Sequence, residues 1–412
     1  MTAVPDGQRL ARAALTYLAE PGDPVLGALL GVCDPVALVE AITAGSVPER
    51  VLAGAHPDRA SCSEGSAGPA VIAGIGPAAI SRATAHWRAR LGEIPGERDL
   101  AAFERDGIRL ACPGDPEWPT QLDVLGAARP YALWLRGSAD LRYSCLRSVS
   151  VVGARAATAY GSHVSAELSA ALAERGWTVL SGGAYGVDGA AHRGALAAHG
   201  LTVAVLACGV DDPYPRGHHE LFRAIAARGV LASEWPPGRT PTRPRFLIRN
   251  RVIAALARGT VVVEAAERSG ALNTARYARD LCRPLMAVPG PVTSAMSAGC
   301  HLMMREWDAV CVTGASDVLE EVTPVGESGP GAPPGPVVPR AQLDPVTLRV
   351  LEAVPVRGGA GPATIAVVAG VDVDTTVGCL GVLAAGGFVQ RGRRGWHVTS
   401  EAPGTPALSV LD

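Results

Sequence analysis

No lysine occurs in this 412-residue sequence; all 37 basic residues are arginine. Any anion site must therefore use guanidinium groups or backbone N–H groups. The formal net charge is −2, which excludes a uniformly basic coat and leaves only a local concentration of charge for a nucleic-acid surface. The nine cysteines include no C-x-x-C pair. That spacing argues against a zinc site and fits scattered thiols in a reducing cytosol. No stretch approaches the roughly 18 apolar residues of a membrane span, and the first residues lack the apolar core of a signal peptide. The expectation is a soluble, cytoplasmic protein with no membrane partner and no metal. The usual phosphate and nucleophile motifs are absent as well. There is no G-x-G-x-x-G after the first strand, no Walker A and no G-x-S-x-G elbow.

What is present is enough apolar sequence, 48% of residues, for two or three domains. Residues 1–97 read as a small helical domain, with helical spacing over 9–18, 24–30, 35–44 and 77–91. The interval 54–68 is polar and Gly-rich, and Gly74–Gly76 resembles a helix-hairpin-helix turn, which can bind a DNA backbone; a plain turn between helices is the favoured alternative. From 98 to 320, short apolar runs at 146–152, 178–181, 203–207, 231–233, 259–264 and 285–288 alternate with helical segments. Such repetition implies a parallel sheet covered on both faces. Ligands of such sheets bind at the carboxyl ends of the strands, beside a topological switch point. Residues 321–341 are a linker, with six Pro and four Gly in 323–339. Residues 342–400 read as three helices and a β-hairpin, the pattern of a winged helix.

The candidate site lies at the strand ends. Gly153 permits a tight turn after the first strand and places Arg155 at the sheet edge. Gly182 and Gly183 follow the second strand, where free N–H groups can form an anion nest; a plain glycine turn is the alternative. Between residues 239 and 283, ten arginines face three acids. Within that interval, Phe246 precedes Arg249, Asn250 and Arg251, combining guanidinium groups for phosphate with a ring for a base. Ser269 and Gly270 stand where a helix begins and suit a phosphate. Glu264 could serve as an acid or base by position alone, but no second carboxylate or histidine supports it.

The runs VVGARAATAYG (151–161), SGGAYGVDGAAHRGAL (181–196), SEWPPG (233–238), RNRVIAAL (249–256), VVVEAAERSGALNTA (261–275) and AVPGPVTSAMSAG (287–299) resemble the DNA-processing protein A family (DprA, or Smf). The resemblance covers about residues 98–310. It implies an extended Rossmann-like α/β fold flanked by a sterile-alpha-motif-like helical domain and a winged helix. It also implies single-stranded DNA binding, dimerisation and loading of the recombinase RecA in natural transformation, with no enzymatic step and no cofactor. Carried over by motif, Gly153 and Arg155 fall in G-x-R, and Gly182 and Gly183 in S-G-x-A. Arg249, Asn250 and Arg251 form R-N-R, with Phe246 as the preceding aromatic, and Ser269 and Gly270 open S-G-x-L-x-T-A. Tyr185 stands where many members have a basic residue, and a tyrosine can stack on a base. Leu247 replaces a usual proline, and His218 and His301 replace usual asparagines.

Two rival readings come from other classes. One is a nucleotide phosphoribohydrolase on the same fold, whose P-G-G-x-G-T-x-x-E signature is absent here. The other is a winged-helix transcription regulator. Against the latter, the candidate recognition helix 375–385 carries no charge and little that reads a base edge. The C-terminal domain is therefore expected to contact protein, or at most to grip a backbone through Arg391, Arg393 and Arg394. A chain cut after Ser316 is expected to keep the α/β domain whole.

Overall fold

The computed structural model describes residues 4–47, 75–323, 343–356, 358–385, 387–392 and 394–399. The interval 54–68, Gly74, the proline-rich stretch from 324 and Arg393 lie outside them. The chain divides into two compact units, 1–329 and 330–412.

The first unit is built on nine strands: β1 (Ile108–Ala111), β2 (Leu133–Arg136), β3 (Ser148–Val152), β4 (Thr178–Ser181), β5 (Thr202–Leu206), β6 (Val230–Ser233), β7 (Gly259–Val262), β8 (Leu285–Ala287) and β9 (Val310–Cys311). They lie in the order β1-β2-β6-β5-β4-β3-β7-β8-β9. From β6 through β9 all pairings are parallel. Every residue of β3 to β7 is buried, as a sheet covered on both faces requires. Alternate residues of β5 serve opposite faces: Val203 and Val205 join one core, Ala204 and Leu206 another. Several hydroxyls inside the strands donate to carbonyls: Ser150 Oγ to Ile253 O at 2.9 Å and Ser181 Oγ to Val151 O at 2.7 Å. The architecture is α/β, mostly parallel and Rossmann-like.

Strand order reverses at β3. The chain winds outward from β3 through β4 and β5 to β6, then returns to place β7 on the other side of β3. The return is made by the helix Arg243–Leu256, which the sequence pattern did not mark. Pro244 and the dense arginines hide its period, yet a proline is well tolerated in the first turn. Strands β1 and β2 were not marked either. They extend the sheet antiparallel beyond β6, and four residues each give too little alternation to recognise.

The N-terminal helices Asp6–Leu18, Pro24–Leu30, Pro35–Ala44 and Pro77–Arg88 share a core of Leu15, Leu18, Leu26, Leu38, Ile42 and Trp87. Two of them begin at Asp-Pro. Asp23 accepts from the N–H groups of Val25 and Leu26, and Asp34 from that of Val36, each satisfying donors that the helix leaves open. Polar side chains tie the group to the sheet. Arg12 donates to Tyr131 O at 3.0 Å and Trp134 Nε1 to Thr16 Oγ1 at 3.1 Å. Glu20 accepts from Trp235 Nε1 at 2.9 Å and from Arg245 Nη2 at 2.6 Å.

The second unit contains helices Pro345–Ala353, Pro362–Ala369 and Val373–Ala385 and a hairpin of β10 (Val389–Gly392) and β11 (Gly395–Val398). Its core is Val350, Leu351, Ile365, Leu380, Leu383 and Phe388. No single described helix is long and apolar enough to cross a membrane.

Ser316 is the wrong place to cut. The helix Ala315–Val322 buries Val318, Leu319 and Val322 against the sheet, so a cut there would open the first core. A boundary after Thr323 leaves it closed.

His192 lies fully buried in the helix Val187–Ala197, with Nδ1 2.7 Å from Thr202 Oγ1 and no partner for Nε2. Burial holds its pKa down at about 3, from 6.5. Below pH 6.5 the unfolded chain takes up a proton there that the folded chain refuses, so stability falls with pH. Wild type is expected to lose stability relative to His192→Gln as pH drops from 6.5 towards 3, by at most about 1.4 kcal/mol per pH unit. Urea unfolding across that range measures the gap; parallel curves for the two proteins would refute it.

Candidate nucleic-acid interface

A cavity of about 390 Å³ opens at the carboxyl edge of the sheet, where the order reverses between β3 and β7. Its wall starts with Val152, Gly153 and Arg155, which leave the end of β3. Gly153 is needed for close approach. A Cβ there would lie 2.8 Å from Glu264 O and 2.6 Å from the Val187 side chain.

The opposite wall is one face of the helix Arg243–Leu256. At 100° per residue, Phe246, Arg249, Asn250 and Ile253 share one face, and all four line the cavity. Arg155 is exposed and lays its guanidinium over the Phe246 ring, 4.5 Å from the centroid. The floor comes from the start of the helix Gly270–Asp280. Asn250 Nδ2 donates to Gly270 O and Asn273 Oδ1, both at 3.2 Å, and so fixes that helix end against the cavity. Ser269 precedes the helix without capping it, and its Oγ is buried with no partner. Ser269, Gly270 and Ala271 line the cavity, and no side-chain cap takes up the N–H groups that a helix start leaves open.

Several expected residues have other duties. Gly182 and Gly183 do not offer an open nest, because Asp188 fills it. Its Oδ2 accepts from Gly182 N at 3.2 Å and Ala184 N at 3.3 Å. Burial pushes the Asp188 carboxyl up, while Arg249 and these N–H groups oppose the shift. Gly182 must lack a side chain because the Arg249 guanidinium lies where a Cβ would be, 2.4 Å away. Arg249 Nη1 donates to Gly182 O at 2.8 Å and to Val205 O, bridging the ends of β4 and β5. Burial lowers its pKa to about 10. It lines the cavity from below as a fixed charge.

Arg251 is not in the cavity. It sits 200° around the helix from Arg249 and forms a fork-to-fork pair with Glu234, both contacts 2.6 Å, the side chains 4% and 2% exposed. The two arginines of R-N-R were expected to act together, but only an extended segment would point them the same way.

Much of the local basic charge is likewise engaged. Arg239 pairs with Glu93 and Arg245 with Glu20. Arg258 donates to Leu146 O at 2.6 Å and Arg283 to Ala255 O at 3.3 Å. His218 Nδ1 lies 3.0 Å from Gly183 O and His301 Nε2 3.0 Å from Gly290 O. Both histidines serve the scaffold. Thr158 caps the helix Ala159–Glu174 by accepting from Gly161 N at 3.2 Å, and Glu264 holds that cap, accepting from Thr158 Oγ1 at 2.6 Å and Thr158 N at 2.9 Å. It is buried and engaged rather than poised over the cavity. Tyr185 lies outside the cavity wall, half-exposed.

Sequence reasoning passed over Asp188, whose helical setting gave no sign of its role, and Thr274 and Ile253, which only the cavity reveals.

Comparison with known proteins bears on this geometry. The profile of the family described as DNA recombination-mediator protein A matches residues 109–323. A putative DNA processing protein DprA of Mycobacterium tuberculosis is 48% identical over 319 residues, covering 75% of this chain and 82% of the relative. DNA processing protein DprA of Bacillus subtilis is 34% identical over 225 residues, covering 55% and 75%. The X-ray structure of DNA processing protein A from Streptococcus pneumoniae aligns with a TM-score of 0.57 at 26% identity, over 78% of this chain and 99% of that one.

Removing Arg251 would strand the Glu234 carboxylate in the interior. Arg251→Ala is expected to cost about 3–5 kcal/mol in urea unfolding, and Arg251→Met with Glu234→Leu to recover much of it. Weakened nucleic-acid binding by Arg251→Ala at unchanged stability would place this residue in the interface after all.

Proposed function

This chain belongs to the DNA recombination-mediator protein A family, and from that premise we propose that it binds single-stranded DNA and hands it to a RecA-type recombinase. The setting is the uptake and recombination of DNA, in the cytoplasm, with the chain acting as a homodimer. No chemical step and no cofactor is required of it. The observation that carries the reading is the Arg155–Phe246 stack at the mouth of the cavity, beside the open end of the helix Gly270–Asp280.

That arrangement suits a single strand for physical reasons. A guanidinium and a helix N-terminus both favour phosphate oxygens. A ring at the same mouth can accept an unstacked base, which duplex DNA does not present. Arg249 adds a buried positive charge beneath the cavity without needing to move.

Arg155→Ala is expected to weaken binding of oligothymidylate and to lower the slope of log affinity against log salt by about 0.7, one phosphate contact. Phe246→Ala is expected to weaken binding by roughly 1–3 kcal/mol with the slope intact. Titrations with single-stranded and duplex oligonucleotides, with and without RecA, test the whole reading. A preference for duplex would overturn it.

We also read residues 343–399 as a winged helix whose role is protein contact. Its third helix exposes Val377 and Val382 and carries one charged residue, Asp374. That face offers nothing to match the donor and acceptor pattern of a major groove. A chain ending at Thr323 is expected to keep most of its single-strand affinity. A large loss on that truncation, or a sequence-specific duplex footprint by the full chain that vanishes with it, would contradict this role.

A further inference from the structure

A second aromatic surface adjoins the cavity. The Tyr214 ring lies 6.0 Å from that of Phe246 and is 46% exposed. The segment after it turns through Gly217 to His218. Tyr185, 49% exposed, lies against this turn, its ring edge-on to His218 with centroids 4.7 Å apart. Gly217 makes the approach possible, since a Cβ there would lie 2.4 Å from the Tyr185 hydroxyl oxygen. His218 is itself buried, hydrogen-bonded to Gly183 O and packed on Phe222. It braces Tyr185 from behind, and Phe246 braces Tyr214. Two half-exposed rings held from behind are platforms, in contrast to tyrosines that bury themselves in a core.

We propose that the strand leaving the Arg155–Phe246 cavity continues over Tyr214 and Tyr185, which take two further bases by stacking. This extends the single-strand reading given above and depends on it. Cations do stand near the ledge: Arg216 faces Asp212 at 3.9 Å, and the exposed Arg193 guanidinium lies beside His218. The rings contribute by stacking, which displaces no counterions, so their share of the affinity is insensitive to salt, unlike that of Arg155. It is also insensitive to sequence, because every base offers a face to stack on.

Photo-cross-linking of the full-length protein to oligothymidylate substituted with 5-iodouracil tests the path directly. Adducts are expected at Tyr214 and Tyr185 as well as at Phe246. In titrations, Tyr185→Ala and Tyr214→Ala are each expected to weaken binding of a long oligothymidylate by about 5- to 150-fold. The salt slope should not change, and an oligomer short enough to fill only the cavity should bind as before. Tyr185→Phe and Tyr214→Phe should restore most of what the alanine variants lose, because the ring is what stacks. If Phe246→Ala loses affinity while both tyrosine-to-alanine variants bind every length normally, and adducts stay at Phe246, the ledge is overturned and the cavity stands. If wild type binds no single strand at all, the parent reading falls and the ledge with it.

Discussion

The buried guanidinium of Arg249 is the constraint on which the carboxyl edge of this sheet depends. It reaches across the ends of β4 and β5, donates to Gly182 O and Val205 O, and touches Asn250 Oδ1 through Nε at 3.3 Å. Burying an arginine is costly unless its donors are met, and here two backbone carbonyls meet Nη1 and the Asn250 side chain meets Nε. Two consequences follow. Residue 182 must be glycine, because the guanidinium occupies its side-chain space. The loop after β4 must also turn its N–H groups inward, where Asp188 receives them.

The same helix carries that constraint to the floor of the cavity. Asn250, next to Arg249, grips the start of the helix Gly270–Asp280 and so sets the distance between this wall and the floor. Arg251, next again, faces the other way and locks the helix to Glu234 behind β6. Three successive residues thus perform three tasks: closing a strand edge, spacing a cavity and anchoring a helix. Phe246, one turn earlier, is left to meet Arg155 at the opening. Rigid support of this kind lets an exposed contact hold its geometry before a ligand arrives.

Arginine accordingly does two jobs in this chain. With no lysine to share them, guanidinium groups supply both the structural pairs and the free cations. Arg9 with Asp115, Arg109 with Glu117 and Arg245 with Glu20 join segments distant in sequence or brace the sheet extension. Planar, multidentate donors are suited to this. The dense basic run after residue 239 therefore contributes less free positive charge than its composition suggests.

The α/β class, the parallel core from β3 to β8 and a site at its carboxyl edge were all legible in the residues alone, because apolar runs and glycine turns are local signals. The motifs also sufficed to indicate the family, and they brought Gly153, Arg155, Phe246, Asn250, Ser269 and Gly270 to one cavity. Which polar groups remain available was settled by folding. Gly182 and Gly183 looked open, yet Asp188 closes them from six residues away. Arg249 and Arg251 looked alike, yet the helix turns them apart. The antiparallel strands β1 and β2 were too short to be legible. Availability depends on what the rest of the chain has already satisfied, and that is settled by long-range packing, which spacing along the sequence does not encode.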